Sequence, residues 1–491
     1  MRRLLWLLLV GISCSPFLFA QGDGEGEGQK DEMQVLQDEV EKAVKKGVEW
    51  LKSKQEPDGS WKYNPEGPFK LDVGEPLFDG STALVLYALL KGGVDPDDGC
   101  ITKGFSYIRG RPFKYTYSVS CYILALDALY EARMKKMVKK TEEKKPSKKG
   151  ITELDEPKYD PKQDFQKWPE QDRKGMIDAV EWLIKNRTNQ IWRYPPQGED
   201  MSNTQYASLA LAVAQKHGVP VPDEVYTKIA DYCTANQEKD GPEVEWFPVP
   251  LADKSIKELE MSEKRLMEEF RKKMKESEKL KLGTDPKQLR TSLAEQEQQK
   301  LFGGEKKKMY ARGWCYMYND PDGMEWRKII NGSMTTSGVV ACVVCKWALE
   351  GKPVWNQYKD KVEKSIRDGC AWIAHYFDIH RNPSGKLFPG GKDGQNPSRP
   401  SLHHYYYLFA LERVGMLAMV PAFGKHYWWE EGTKYILSAQ RPDGSWDAGG
   451  YGTSGPVPDT CWAILFMKKA TAPLVDTPGL YTGQGLLPGR K

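Results

Sequence analysis

The chain has 491 residues, of which 40% are hydrophobic and 11% aromatic. This length and apolar content can build one large domain or two to three ordinary ones, and they exclude an intrinsically disordered protein. The 72 basic and 68 acidic residues leave a net charge of +4. A charge so small gives no global basic field, so we expect no nucleic-acid partner.

The N-terminus, MRRLLWLLLVGISCSPFLFA, is typical of an export signal, because two arginines precede an apolar run that ends at a small residue. The run from Leu4 to Ala20 is short for a membrane-spanning helix. Lipid anchoring at Cys14 is the less favoured alternative, since Gly11 stands where a lipoprotein signal has Leu or Val. We expect residues 1–20 to be a signal peptide, residues 21–33 a flexible acidic linker, and the protein to be periplasmic or secreted.

A short repeat stands near both ends of the chain. Residues 55–61 are QEPDGSW and residues 440–446 are QRPDGSW. Asp-Gly predicts a tight turn with glycine at positive φ, and the tryptophan is expected to fold back onto the preceding helix. The glutamine amide can satisfy backbone groups left open at the helix end. Weaker copies lie at 174–192 and at 229–241, the latter with its aromatic residue displaced to 311–316.

Each repeat segment is an amphipathic helix followed by a second helix that is apolar nearly all round. The second helices open with small or polar residues near positions 80, 117, 202, 333, 403 and 459. The amphipathic partners are expected over residues 34–55, 100–110, 174–187, 223–237, 356–376 and 427–440. An all-round apolar helix must be shielded on most sides. Six outer and six inner helices therefore predict an all-α double ring.

Two charged stretches, 134–173 and 251–308, interrupt this order and are interpreted as insertions. The second has the i,i+4 charge spacing of a solvated helix or helical hairpin, with a docking arm for a cell-envelope protein as the alternative. Residues 471–491 are expected to form a C-terminal tail. Eight cysteines outside the leader are scattered through apolar runs, which indicates buried core residues rather than a disulfide framework.

The repeat resembles that of squalene-hopene cyclases and protein prenyltransferase β subunits. The first copy carries the pattern at Lys46, Trp50, Leu51, Gln55, Gly59 and Trp61, and the last carries it at Tyr435, Ile436, Gln440, Gly444 and Trp446. The resemblance covers residues 34–470, interrupted by the two insertions. It implies an (α/α)6 toroid in which inner helices surround a cavity, with their polar first turns at one mouth.

Squalene-hopene cyclases protonate an alkene with an Asp-x-Asp-Asp-Thr motif on an inner helix. The spelling DPDD occurs at Asp95–Asp98, but glycine and proline predict a solvated loop and helix cap there. The stretch that matches by place is Pro456–Thr460, where only Asp459 and Thr460 agree with the motif. The resemblance therefore leaves Asp459 as a candidate acid without its partner carboxylates.

Protein prenyltransferases bind zinc through an Asp-x-Cys and a histidine. The resemblance makes Asp459, Cys461 and His404 a candidate zinc set, with His403 beside it. The histidines precede the Asp-x-Cys here, whereas they follow it in that family. The alternative is that Asp459 caps its helix, Cys461 packs in the core, and the histidines are polar groups of a cavity.

The first turns of the inner helices supply the remaining candidates. The mouth set is Asp79, Ser81, Thr82, Ser118, Asn203, Thr204, Gln205, Ser333, Thr335, Thr336, His403, His404, Tyr405, Tyr406 and Asp459. Such a mouth favours a polar or anionic group. Helix capping accounts for many of the small residues. The run His403–Tyr407 is costly to bury unpaired, so it is the best candidate for ligand contact or acid–base work.

These observations predict an exported toroidal protein that binds an apolar or amphiphilic, isoprenoid-like molecule. One alternative is a terpenoid- or prenyl-handling enzyme that uses Asp459, His403 or His404. Another is a scaffold of the cell envelope that binds a protein partner through residues 251–308. A third is a toroidal carbohydrate lyase or hydrolase, which requires paired carboxylates or a basic residue facing a groove.

Overall fold

A computed structural model describes residues 32–62, 76–143, 160–194, 198–280, 282–304, 306–319, 322–384, 403–449 and 454–475. The fold is all-α, as predicted. The helices of these residues are α1 (Glu32–Ser53), α2 (Pro76–Lys91), α3 (Gly99–Ile108), α4 (Thr116–Glu143), α5 (Pro161–Phe165), α6 (Glu170–Lys185), α7 (Met201–Lys216), α8 (Asp223–Asn236), α9 (Pro250–Asp253), α10 (Ile256–Leu280), α11 (Pro286–Phe302), α12 (Gly332–Leu349), α13 (Lys359–His375), α14 (His404–Leu417), α15 (Trp428–Ser438) and α16 (Pro456–Met467). The predicted signal peptide and most of the linker lie outside these ranges.

The predicted alternation of amphipathic and apolar helices is observed. The amphipathic helices are α1, α3, α6, α8, α13 and α15, and the apolar helices are α2, α4, α7, α12, α14 and α16. In α1 the buried positions Leu36, Val40, Ala43 and Val44 recur at helical spacing, which defines one apolar stripe. By contrast, α12 is buried along almost its whole length, as a helix without a polar face must be.

The apolar helices contact one another in a fixed order. Helix α2 packs on α4, α4 on α7, α7 on α12, α12 on α14, α14 on α16, and α16 again on α2. Each amphipathic helix packs against at least one apolar helix, so the hydrophobic core lies between the two sets. Helix α12 is also the one described helix long and apolar enough to cross a membrane, but this burial is what a core helix shows.

The turn of the first repeat has the predicted hydrogen bonds. The Gln55 amide donates to the carbonyl of Gly59 at 3.1 Å and to that of Cys100, at the start of α3, at 2.9 Å. The Trp61 indole Nε1 donates to the Leu51 carbonyl at 2.6 Å. Gly59 has φ +93°, as a tight Asp-Gly turn requires. The turn thus ends α1 and also ties it to the next amphipathic helix.

The last repeat reproduces these contacts. The Gln440 amide donates to Gly444 and to Ala43 in α1, each at 2.9 Å, and Trp446 Nε1 donates to the Ile436 carbonyl at 2.7 Å. The same glutamine contact that ties α1 to α3 therefore ties α15 to α1.

The displaced copy is also confirmed. Gln237 donates to the Arg312 carbonyl at 2.9 Å and to the Ser365 carbonyl in α13 at 3.1 Å. Trp314 Nε1 donates to the Cys233 carbonyl at 2.9 Å. The second insertion therefore lies inside one repeat turn, between its glutamine and its tryptophan.

The second insertion contains a helical hairpin, formed by α10 and α11, as its charge spacing predicts. Strands β1 (Glu243–Val244) and β2 (Met309–Tyr310) pair antiparallel at its base. The first stretch begins differently from the prediction, because α4 continues through it to Glu143. The eight cysteines of the described residues are all buried and free, in agreement with their interpretation as core residues.

Candidate functional site

The predicted loop at Asp95–Asp98 is confirmed. The Asp98 carboxylate accepts from the backbone N–H of Cys100 at 2.9 Å and thereby caps α3. A hydrogen bond from Lys52 at 2.8 Å is the main reason that the pKa of Asp98 falls to about 2. A carboxylate that is ionised over the whole physiological range cannot act as a cyclase-type acid.

Three threonines of the apolar helices hold the repeat tryptophans in place. The backbone N–H of Trp61 donates to Thr82 Oγ1 at 3.0 Å, and that of Trp446 donates to Thr460 Oγ1 at the same distance. The third pair has the same arrangement, from Trp314 N–H to Thr335 Oγ1 at 3.2 Å. The mouth residues Thr82 and Thr335 thus have structural partners.

The start of α7 is organised by Asp200, a residue that sequence reasoning missed. Its carboxylate accepts from the Asn203 backbone N–H and from the Asn203 side-chain amide, each at 2.8 Å. Thr204 Oγ1 donates to the Asp200 carbonyl at 2.7 Å. Burial raises the pKa of Asp200 to about 6. The polar residues Asn203 and Thr204 are therefore parts of a buried N-cap, although Asn203 Oδ1 has no partner among the described atoms.

Asp79, in the first turn of α2, pairs with Arg111. The Arg111 Nε donates to the carboxylate at 3.0 Å. Burial nevertheless raises the pKa of Asp79 above its usual range, against the opposing effect of the guanidinium. Asp79 therefore belongs to a partly buried ion pair with Arg111. Its helix, α2, packs against α16, which carries Asp459.

His404 is turned toward α15. Its Nε2 lies 2.8 Å from the Ile379 carbonyl, which can only accept, so this nitrogen carries the proton. Its Nδ1 lies 3.4 Å from the Tyr435 hydroxyl. Burial lowers the pKa of His404 to about 4, so the ring is neutral at pH 7. Both nitrogens have protein partners, which removes the free nitrogen that acid–base work or metal binding requires.

His403 precedes α14 in the left-handed conformation, with φ +57°. Its side chain is exposed, yet the surrounding protein lowers its pKa below the usual value. Within the described residues, His403 is thus an exposed residue at the start of α14, and no contact joins it to Asp459 or Cys461.

Asp459 lies in the first turn of α16, but it does not cap the helix. The N-cap is Gly455, and the Asp459 carboxylate accepts instead from the Ala448 backbone N–H at 2.8 Å. Burial, with a smaller contribution from Asp447, raises the pKa of Asp459 to about 8. Tyr405 lies close enough to interact with the same carboxyl group. At neutral pH Asp459 is largely protonated, so it can donate a proton or a hydrogen bond.

The candidate zinc ligands are not brought together. Within the described residues, no three Cys, His, Asp or Glu side chains assemble into a group that could hold a metal. Asp459 and Cys461 are two residues apart on α16 and so point to different sides of the helix. His404 is committed to Ile379 and Tyr435. The predicted set Asp459, Cys461 and His404 therefore does not form a zinc site here.

An aromatic cluster with polar tips lies where α4, α7, α14 and α16 meet. We call Tyr117, Tyr206, Tyr406 and Trp462 the tyrosine cluster. The Tyr117 and Tyr206 ring centroids lie 4.4 Å apart, and Trp462 Nε1 donates to the Tyr206 hydroxyl at 3.2 Å. The Tyr117 hydroxyl lies 3.4 Å from that of Tyr406. Of these residues, only Tyr406 was predicted as a cavity residue.

Gln205 connects the tyrosine cluster to a charge. Its Oε1 accepts from the Tyr406 hydroxyl at 3.1 Å and from Arg413 Nη1 at 3.3 Å. Arg413 is completely buried, in the middle of α14. The sequence did contain a signal for this residue, since Glu412-Arg413 is a charged pair inside an otherwise apolar helix.

The comparisons with known proteins add no relative. No family model matches the chain, and no curated protein matches it.

Proposed function

We propose that the chain is an (α/α)6 toroid of the kind found in squalene-hopene cyclases and protein prenyltransferases, and that it binds an apolar or amphiphilic molecule between the apolar helices. The order of helix contacts, which returns from α16 to α2, supports the toroid. So do the three repeat turns, which share the same glutamine, tryptophan and threonine contacts.

The observation that carries the binding proposal is the tyrosine cluster. Its rings come from four different apolar helices and present phenol and indole tips toward one another. Aromatic rings supply a large apolar contact area, and their polar tips provide orientation for a molecule that is apolar along most of its length. An isoprenoid alcohol or acid has this chemistry.

Binding of farnesol, followed by native mass spectrometry and titration calorimetry, tests this function. Trp462→Leu should weaken binding about two- to tenfold, because an aromatic contact contributes about 0.5–1.5 kcal/mol beyond its area. Trp355→Leu is the matched control, since Trp355 is buried to a similar degree but lies beside α13, away from the cluster. Equal affinity in all three proteins, or no binding to the wild type, would contradict the proposal.

A second candidate is a terpenoid-handling enzyme in which Asp459 acts as the acid. It is favoured by the pKa of about 8 and by the position of Asp459 at the place that matches the cyclase motif. Asp459→Asn should then abolish conversion of squalene, measured by gas chromatography of the products, without loss of squalene binding. Product formed at an unchanged rate by the variant would exclude this role.

Export to the periplasm or outside the cell is also proposed, on the residue pattern of positions 1–20. Sequencing the N-terminus of protein recovered from its native source tests it, and a retained Met1 would count against cleavage. The hairpin α10–α11 is proposed as the surface for a cell-envelope partner. Deleting residues 251–308 should then abolish partner recovery in a pull-down, whereas undiminished recovery would exclude the hairpin as the contact.

A further inference from the structure

The Arg413 guanidinium lies deep between the apolar helices. It is nine residues beyond the start of α14, which corresponds to about 13 Å along the helix axis. The rings of Tyr206 and Phe409 each lie 4.1 Å from its central carbon. Arginine stays charged at any physiological pH, and a buried charge is costly unless hydrogen-bonded partners compensate it.

The protein compensates only one side of this group. Nη1 donates to Gln205 Oε1 at 3.3 Å, but Nε and Nη2 have no hydrogen-bond partner in the described part of the chain. The neighbouring carboxylate, Glu412, accepts instead from the backbone N–H of Thr471 at 2.9 Å and from its hydroxyl at 2.7 Å. The Nε2 of Gln205 is also buried and unpartnered.

The open side of Arg413 is the side that pairs with carboxylates elsewhere in this chain. In Arg109, Nε and Nη2 each donate to one oxygen of Asp172, both at 2.7 Å. In Arg367, Nε donates to Asp253 at 3.0 Å and Nη2 to a backbone carbonyl at 2.6 Å. These two N–H groups are parallel and match the two oxygens of a carboxylate. Arg413 presents the same edge without an oxygen.

We propose that the Nε/Nη2 edge of Arg413 binds the carboxylate head group of an amphiphilic ligand. This inference rests on the proposed function and specifies its ligand as a long-chain carboxylic acid. A carboxylate fits because it is planar and its two oxygens match the two parallel N–H groups of this edge.

The tail of such a ligand has a defined environment. Tyr117 and Tyr406 lie in the first turns of α4 and α14, nearer the helix starts than Arg413. With the head group at Arg413, the tail extends along the tyrosine cluster toward those first turns. Because the open nitrogens have no accessible surface, the ligand enters by displacing side chains of the tyrosine cluster. The hydroxyls of Tyr117 and Tyr406 are joined by a long hydrogen bond of 3.4 Å, which such a displacement would break.

The test compares oleate with oleyl alcohol, which has the same chain and a neutral head group. Titration calorimetry with the full chain should show oleate binding at least tenfold more tightly than the alcohol. Arg413→Met keeps the side-chain length and removes the charge, so it should bind the two compounds with equal affinity. Gln205→Met removes the hydrogen bond that holds Arg413 Nη1 but leaves the guanidinium, so it should reduce the preference for oleate, and it serves if Arg413→Met does not fold.

The outcomes separate this inference from the proposed function. Equal wild-type affinity for oleate and the alcohol overturns the carboxylate site but leaves apolar binding standing. A preference for oleate that persists in Arg413→Met, or that is undiminished in Gln205→Met, also overturns it. Tighter binding of oleyl phosphate than of oleate overturns the assignment of a carboxylate as the head group. Absence of binding by every compound overturns the proposed function and the inference together.

Discussion

The repeat turn can be tested by a pair of glycine substitutions that differ in one respect. Gly59 and Gly93 both have a positive φ that L residues rarely adopt, +93° and +92°. A Cβ atom at Gly59 would lie 2.5 Å from the carbonyl oxygen of Lys103 in α3, whereas a Cβ at Gly93 would meet no atom within 4 Å. Both alanine variants therefore carry the cost of a positive φ, and only Gly59→Ala also carries a clash.

The magnitudes follow from these geometries. The left-handed conformation costs an alanine about 1–2 kcal/mol in each variant. In Gly59→Ala the backbone of α3 must also move, at a cost of about 1–3 kcal/mol for overpacking. The movement displaces the Gly59 carbonyl, which accepts the Gln55 amide at 3.1 Å. We expect Gly59→Ala to lose about 2–5 kcal/mol of unfolding free energy and Gly93→Ala about 1–2 kcal/mol.

Denaturant unfolding of the wild type and both variants, followed by far-ultraviolet circular dichroism, measures this difference. The clash should appear as a lower midpoint for Gly59→Ala than for Gly93→Ala at an unchanged slope. Equal midpoints would refute the argument that the turn and α3 are in rigid contact. Gly444→Ala offers an independent repetition, because its Cβ would lie 2.8 Å from the Lys46 carbonyl oxygen.

Three further predictions concern stability. Burial raises the pKa of Asp459 to about 8, so its stabilising contribution is present at low pH and is lost as pH rises from about 4 toward 8. As pH rises through that window, the unfolding free energy of Asp459→Asn should increase relative to that of the wild type. Unfolding free energies of the two proteins that change with pH in parallel would contradict this. The pKa of Asp98 is instead lowered to about 2. Asp98→Ala should therefore lose about 1 kcal/mol of unfolding free energy at pH 7, and less as pH falls from about 4 to 2. A loss that stays constant with pH in chemical denaturation would be evidence against the cap. Thr82→Val and Thr460→Val each leave a buried tryptophan N–H unpaired, so each should cost about 1–3 kcal/mol, and a cost below 0.5 kcal/mol in either would argue against the shared turn.

The sequence by itself determined the local elements. Helix starts and ends agree with prediction within a few residues, because amphipathic periodicity and turn chemistry act over short distances. The Gln55, Gly59 and Trp61 contacts follow from the turn for the same reason. The cap at Asp98 and the hairpin α10–α11 could be predicted because each depends on spacing within a short segment.

Only the tertiary structure decided which side chains of the first turns meet. The sequence pattern groups His404 with Asp459, but His404 is directed toward Ile379 and Tyr435. It could not group Gln205 with Arg413, which are 208 residues apart and meet because α7 and α14 both face the tyrosine cluster. Polar residues at equivalent places on different helices look alike in sequence, and the rotation of each helix against its neighbours determines which of them is buried beside a charge.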